Sequence, residues 1–309
     1  MKIACVGVGG IGGFLAVRLA AAGEEVVAIA RGAHLEAIRR DGLRLRSPQG
    51  DAVAKDILAT ADPSAVGPVD VVVIGVKMWD LESATRAALP LVGPATMIVG
   101  FQNGVEKESI IARTAGEQHV IGGVCYISTE IESPGIILQK GTLERFIVGE
   151  LKGPPSPRVS AFRAACAKAE IKIETSDEMS RVIWEKFVFI SSSAAMTTLI
   201  RLPVGPIREN PQSRVLLLDA LREAVAVARA KGIPVSANLA EETLAFIDAQ
   251  PPATRASMAV DLERGNRLEV EWLSGAIVRI GREFGVPTPI HRVVADALAP
   301  FANGRPNVI

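Results

Sequence analysis

The sequence predicts an α/β chain in two parts: a parallel sheet flanked by helices over residues 1–177, then an all-helical part over 178–309. Three observations carry this. The chain has 309 residues, enough for two domains of ordinary size. Up to residue 177, short Val- and Ile-rich runs alternate with helical stretches, the signature of βαβ units. From Met179 onward almost only helical periodicity remains, broken at Pro203, Gly205, Gly232, Pro251-Pro252, Gly265 and Pro287.

In chain order, Lys2–Val8 reads as a strand ending in glycines, Phe14–Ala22 as a helix stopped by Gly23, and Glu25–Ala30 as the next strand. Asp70–Lys77 and Thr96–Phe101 are buried strands with a helix, Leu81–Leu91, between them. Val120–Thr129, Ile136–Gln139 and Arg145–Val148 are expected to be partly antiparallel strands. A helix over Ser156–Lys168 and a strand over Ile171–Glu174 close the first part. The second part reads as helices over Met179–Ile200, Gln212–Lys231, Asn238–Gln250, Ala253–Arg264, Arg267–Glu283 and Pro289–Phe301.

Composition narrows the function classes. Lys plus Arg and Asp plus Glu each number 34, so there is no basic excess to neutralise nucleic acid. Aromatics at 4% offer no stacking platform for single strands. Cys5, Cys125 and Cys166 are few and scattered, which points to a reducing, cytoplasmic setting rather than a disulfide framework. His34, His119 and His291 show no metal-ligand spacing, so no metal is expected. The N-terminal apolar run could pass for a secretory signal, but Gly7, Gly9, Gly10, Gly12 and Gly13 are poor material for a signal helix. Phe187–Ile200 is too short and too rich in Ser and Thr to span a bilayer.

The glycines have a better explanation. Gly7, Gly9 and Gly12 form G-x-G-x-x-G between a strand and a helix, the fingerprint of a Rossmann-type dinucleotide-binding domain. The first glycine permits the turn, the second lets backbone approach a pyrophosphate, and the third allows close helix–strand packing. Gly10 and Ile11 complete this cofactor-binding segment. Arg31 ends the second strand, where a site for NAD would place an acid on the ribose 2′-hydroxyl. A guanidinium suits a 2′-phosphate, so the expected cofactor is NADPH. The competing reading of Arg31 is a solvated strand end.

Lys77 and Asn103 are expected to close the fourth and fifth parallel strands at the ligand-binding edge, although Asn103-Gly104 is also a common turn. Lys186 starts an almost wholly apolar segment, so it must be paired or reach a cavity, and such a lysine can act as a general acid. Alternatively its stem snorkels and its ammonium stays in water. Glu269 is placed by helical spacing on an apolar stripe with Trp272, Leu273 and Ala276, opposite Glu271, and needs a buried partner. Ser257 opens the preceding helical stretch.

This ordered set resembles the ketopantoate reductase (2-dehydropantoate 2-reductase) family over nearly the whole chain: the glycine fingerprint, Arg31, Val76-Lys77, Gln102-Asn103-Gly104, the Lys186 helix and the Ser257–Glu269 spacing. The resemblance implies a Rossmann domain joined to a helical domain like that of 6-phosphogluconate dehydrogenase, with NADPH in the first and a 2-oxo acid in a cleft. It implies that Lys186 protonates the ketone oxygen, that Glu269 orients and charge-pairs this lysine, and that Asn103 positions substrate and nicotinamide. Ser257 then contacts the substrate, and Lys77 lies near the cofactor. The implied setting is pantothenate biosynthesis. One departure stands out: the family usually has Asn four and eight residues after the catalytic lysine, where this chain has Ile190 and Ala194. Ser193 is the candidate that supplies a hydroxyl to the substrate instead. A reductase of a different 2-oxo acid or carbonyl, and a non-catalytic NADPH-binding sensor, are the competing functions. Small molecules are the expected partners, not nucleic acid or membrane, and a homodimer is left open.

Overall fold

The structure, a computed structural model, describes residues 1–306; the last three residues of the expected helical part lie outside them. Two compact units emerge: Met1–Gln102 with Glu106–Ser180, and Asn103–Val105 with the chain from Arg181 onward.

The first unit is built on a ten-stranded sheet. Its strands are β1 (Lys2–Val6), β2 (Glu25–Ile29), β3 (Leu43–Arg46), β4 (Ala52–Ala54), β5 (Leu58–Thr60), β6 (Val69–Ile74), β7 (Val92–Gly100), β8 (Val120–Ser133), β9 (Ile136–Gly149) and β10 (Ile173–Thr175). They lie in the order β4-β3-β9-β8-β7-β6-β1-β2-β5, with β10 on β9. From β5 to β8 every neighbouring pair is parallel. Renumbered along the chain, these six run 3-2-1-4-5-6, the doubly wound order of dinucleotide-binding sheets. The order in which the chain adds parallel strands reverses between β1 and β6, so their carboxyl ends flank the crevice where ligands bind in such folds. Helices α1 (Gly10–Ala21), α2 (Gly32–Asp41), α3 (Leu81–Ala87), α4 (Lys107–Ala115) and α5 (Pro157–Lys168) complete the unit.

The core of this unit draws on β1, β6, β7 and α1, with Ile3, Cys5, Val71, Val73, Val99 and Phe14 each inaccessible to solvent. Strands buried on both faces need continuous apolar runs, which residues 71–74 of β6, VVVI, supply after the exposed Asp70. The β8–β9 pair is antiparallel, as expected. The two strands expected over Ile136–Gln139 and Arg145–Val148 are one strand, because the long partner β8 pairs with both halves across an irregularity. The structure adds α2, β3, β4, β5, α4 and α7 (Val204–Glu209), short elements whose pattern is too brief to register as periodicity.

The second unit is helical: most of α6 (Met179–Ile200), then α7, α8 (Pro211–Ala230), α9 (Leu239–Asp248), α10 (Ser257–Arg264), α11 (Ser274–Glu283) and α12 (Pro289–Leu298). Its core joins Trp184, Phe187 and Val188 of α6 to Leu217 and Leu221 of α8 and Ile277 of α11. Helix α6 is buried nearly all round from Ser191 to Thr198, as befits a central helix. The expected helix over Arg267–Glu283 is corrected: it starts only at Ser274. Residues 266–269 run without regular structure, because the Leu268 N–H is drawn to the Ala302 carbonyl at 3.0 Å, and a turn over 270–273 then leads into α11. Among the described residues no helix is long and apolar enough to cross a membrane.

Candidate active site

Gly7 leaves β1 with φ +84°, a backbone region that L side chains avoid. Gly12 lies where a Cβ would stand 2.2 Å from the Gly7 carbonyl oxygen, so helix α1 touches the loop backbone directly. Gly75, just past β6, closes the same contact: a Cβ there would meet the Gly7 oxygen at 2.4 Å. The carboxyl ends of β1 and β6 and the start of α1 are thus packed backbone to backbone. Gly9 caps α1 without any side-chain hydrogen bond, and a Cβ there would find nothing nearer than 3.8 Å. The first N–H groups of α1 thus receive no side-chain cap from Gly9, and the space over Gly9 is open to an anion. This cradle fits the diphosphate of a dinucleotide. Gly10 lies under Thr129 of β8, and Ile11 packs on the core of the unit.

Arg31 is exposed just past β2, caps α2, and makes no side-chain ion pair among the described residues. Lys77 does not end a strand as expected: β6 stops at Ile74, and Lys77 caps a single 3₁₀ turn over Met78–Asp80, exposed, with its Nζ 5.8 Å from the Trp79 ring centroid. Gly75 ends the strand because its bare Cα is needed against Gly7. Gln102, absent from the expected site, braces this edge: its Nε2 donates to the Ile74 and Val76 carbonyls at 2.7 and 3.0 Å. A glycine at a strand end was the sequence signal for Gly75; Gln102 had none beyond its place beside Asn103.

In the helical unit, Lys186 is 8% exposed and Glu269 4%. Glu269 does not ride on a helix. It sits in the irregular segment before α11, and its carbonyl accepts from Trp272 and Leu273 in the turn. Its burial nonetheless holds, and Glu271 is exposed. The flanks of both groups meet in one core, where Trp184 and Phe187 join Leu268 and Val270. Half-buried Asn103 belongs to this unit too; a Cβ on its neighbour Gly104 would lie 3.3 Å from the Trp272 carbonyl.

On α6, positions 186, 190, 193, 194 and 197 share one face. Ser193 is 6% exposed, and its Oγ has no hydrogen-bond partner. Ile190 is half-buried and Ala194 lies in the core. The Thr197 hydroxyl donates to the Ser193 carbonyl at 2.7 Å and accepts from the Ala256 N–H at 3.4 Å, which draws the start of α10 to this face. Ser257 is the first residue of α10 and is exposed. Burial pushes the Cys5 thiol up to about 12, so it is no nucleophile. Among the described residues no group of three or more His, Cys, Asp or Glu could hold a metal.

Residues 3–153 match the family model Ketopantoate reductase PanE/ApbA, and residues 178–302 match Ketopantoate reductase PanE/ApbA C terminal. The 2-dehydropantoate 2-reductase of Mesorhizobium japonicum is 32% identical over 310 residues, covering 94% of each chain. That of Halobacterium salinarum is 31% identical over 299 residues, covering 96% of this chain and 97% of its own. Among solved structures, a PanE/ApbA family ketopantoate reductase from Ralstonia eutropha JMP134 matches with a TM-score of 0.88 and 32% identity over 98% of both chains. The matches span both units and the glycine cradle, and the chain belongs to the ketopantoate reductase family of oxidoreductases.

Proposed function

We propose that the protein reduces a 2-oxo acid, ketopantoate being the first candidate, with NADPH as hydride source and Lys186 as proton donor. The loop Gly7–Gly12, with Gly9, Gly10 and Ile11, would hold the diphosphate through backbone N–H groups. Arg31 would take the 2′-phosphate, and Lys77 and Asn103 would complete the cofactor contacts. When bound, the cofactor supplies a hydride from C4 of its nicotinamide.

The remaining work falls to side chains. Reduction of a ketone puts negative charge on its oxygen, which needs a cation and a proton in place. The Lys186 ammonium meets both needs. Glu269 balances its charge and fixes its direction. Asn103 orients the carbonyl, and the Ser193 and Ser257 hydroxyls bind the rest of the acid. The observation that carries this reading is the burial of Lys186 to 8% on an α6 face that also holds the unpartnered Ser193 Oγ. A buried charge is costly unless it is used or paired, and a buried hydroxyl without a partner invites a ligand.

A second reading, reduction of a different 2-oxo acid, draws support from Ile190 and Ala194, which offer no polar side chain where the family resemblance implies Asn. A binding-only sensor would have no use for a buried lysine and glutamate. NADPH oxidation measured against a panel of 2-oxo acids tests all three. Turnover highest with ketopantoate supports the first reading, and higher turnover with an acid lacking its hydroxyl supports the second. Cofactor binding without turnover of any panel member would leave the sensor. On the first reading the product is pantoate, and the enzyme serves pantothenate biosynthesis in the cytoplasm.

A further inference from the structure

His34 takes no part in the site described so far. It is the third residue of α2, half-buried, and its ring bonds to two other elements. The Gly135 backbone N–H donates to Nδ1 at 3.0 Å, and Nε2 meets the Val8 carbonyl oxygen at 2.9 Å. A backbone N–H only donates and a carbonyl only accepts. Nδ1 therefore bears the lone pair and Nε2 the proton, which fixes one neutral tautomer. Burial favours the same neutral ring, pushing its pKa below the ordinary value.

Val8 lies inside the glycine loop, between Gly7 and Gly9. Gly135 forms the turn of the β8–β9 hairpin, and a Cβ there would meet Ala37 of α2 at 3.1 Å. The same hairpin sets Thr129 against Gly10 and Ile137 against Gly13. Loop, helix α2 and hairpin thus meet at one imidazole. The consequence follows from peptide geometry. In a planar trans peptide the carbonyl of one residue and the N–H of the next point in opposite directions. Holding the Val8 carbonyl on His34 therefore aims the Gly9 N–H the other way, and keeps a carbonyl oxygen from turning toward an anion.

We propose that His34 is a positioning residue for the dinucleotide: its imidazole fixes the orientation of the Val8–Gly9 peptide and fastens the diphosphate loop to the start of α2, which carries Arg31. This rests on the cofactor reading given above. His34 itself touches no ligand; it sets the spacing between the N–H groups offered to the diphosphate and the guanidinium offered to the ribose 2′ position.

The test measures dissociation constants for NADPH and NADH, with the cofactor KM and kcat, for wild type, His34→Leu and His34→Gln. Loss of two neutral hydrogen bonds should raise both dissociation constants about tenfold in His34→Leu, and raise KM more than it lowers kcat. His34→Gln, whose amide offers both N–H donors and a carbonyl acceptor, should recover most of the affinity. Arg31→Ala differs in weakening NADPH alone. His34→Leu with wild-type affinity, or a Gln variant as weak as Leu, would overturn the inference. Wild type that binds neither dinucleotide would instead overturn the cofactor reading beneath it. Should His34→Leu not fold, the imidazole ¹⁵N shifts of wild type carry the test. A neutral Nε2–H tautomer whose shifts respond to cofactor is expected, and a charged or unresponsive ring refutes the role.

Discussion

Gly9→Ala and Gly12→Ala should fail in opposite ways, although both glycines belong to one fingerprint. At Gly12 the new methyl would stand 2.2 Å from the Gly7 carbonyl oxygen and 3.4 Å from the Gly75 Cα. Both are backbone atoms, and Gly7 is itself tied to β2 by its N–H to Ile29 at 3.0 Å. Neither side can yield without opening the contact between α1 and the sheet. Overpacking of this kind costs about 1–3 kcal/mol. At about 2–4 °C per kcal/mol for a unit of 150–250 residues, Tm should fall by roughly 2–12 °C. At Gly9 the methyl has no neighbour nearer than 3.8 Å and φ is −72°, open to any residue. The fold should keep its Tm or gain about 1–4 °C, since compatible Gly→Ala changes stabilise by about 0.4–1 kcal/mol. The methyl would, however, stand where a diphosphate must approach. Losing one charged hydrogen bond, about 1.5–3 kcal/mol, weakens NADPH by roughly 10- to 150-fold. Thermal melts with and without NADPH, together with fluorescence titration, read both quantities. Gly9→Ala with wild-type affinity, or Gly12→Ala with wild-type Tm, would refute the reasoning.

Arg31→Ala should weaken NADPH by roughly tenfold, the lower end for a charged contact because the side chain is exposed, and leave NADH nearly unchanged; paired titrations check it. Lys186→Met should cut turnover by about 10²–10⁴-fold or more while cofactor affinity stays within a few-fold, as steady-state rates and titration would reveal. Ile190→Asn should raise the kcat/KM ratio of ketopantoate over its deoxy analogue, because Ile190 is half-buried and can accept a polar group; Ala194→Asn should instead cost about 1–3 kcal/mol in melts, since Ala194 is 1% exposed. His291 is buried between the Ser274 hydroxyl and the Ala220 carbonyl, and desolvation pulls its pKa down to about 4. The unfolded chain then binds a proton that the native chain refuses, so stability should fall as pH drops from about 6.5 toward 4, by up to about 3 kcal/mol. Urea melts across that range, compared with His291→Asn, should show a flatter profile in the variant.

By itself the sequence determined the elements with strong local signals. The glycine string between β1 and α1 was legible because Gly7 takes a positive φ and a Cβ at Gly12 would strike the Gly7 carbonyl oxygen. The run Met179–Ile200 announced a long buried helix, and its bounds are those of α6. Lys186 was legible because a charge inside an apolar run is costly wherever the chain goes. Tertiary structure decided what depends on distant partners. Glu269 reads as helical, since Trp272, Leu273 and Ala276 follow at helical spacing, yet the bond from Leu268 to Ala302 pulls its segment out of the helix. Its burial was legible; its backbone was not. Gly75 and Gln102 brace the loop from just past β6 and β7, and His34 grips Val8 and Gly135 across 26 and 101 residues of chain. No periodicity or spacing encodes such contacts. They arise where the sheet order brings strand ends together, and a hydrogen bond between residues so far apart exists only once the whole unit has folded.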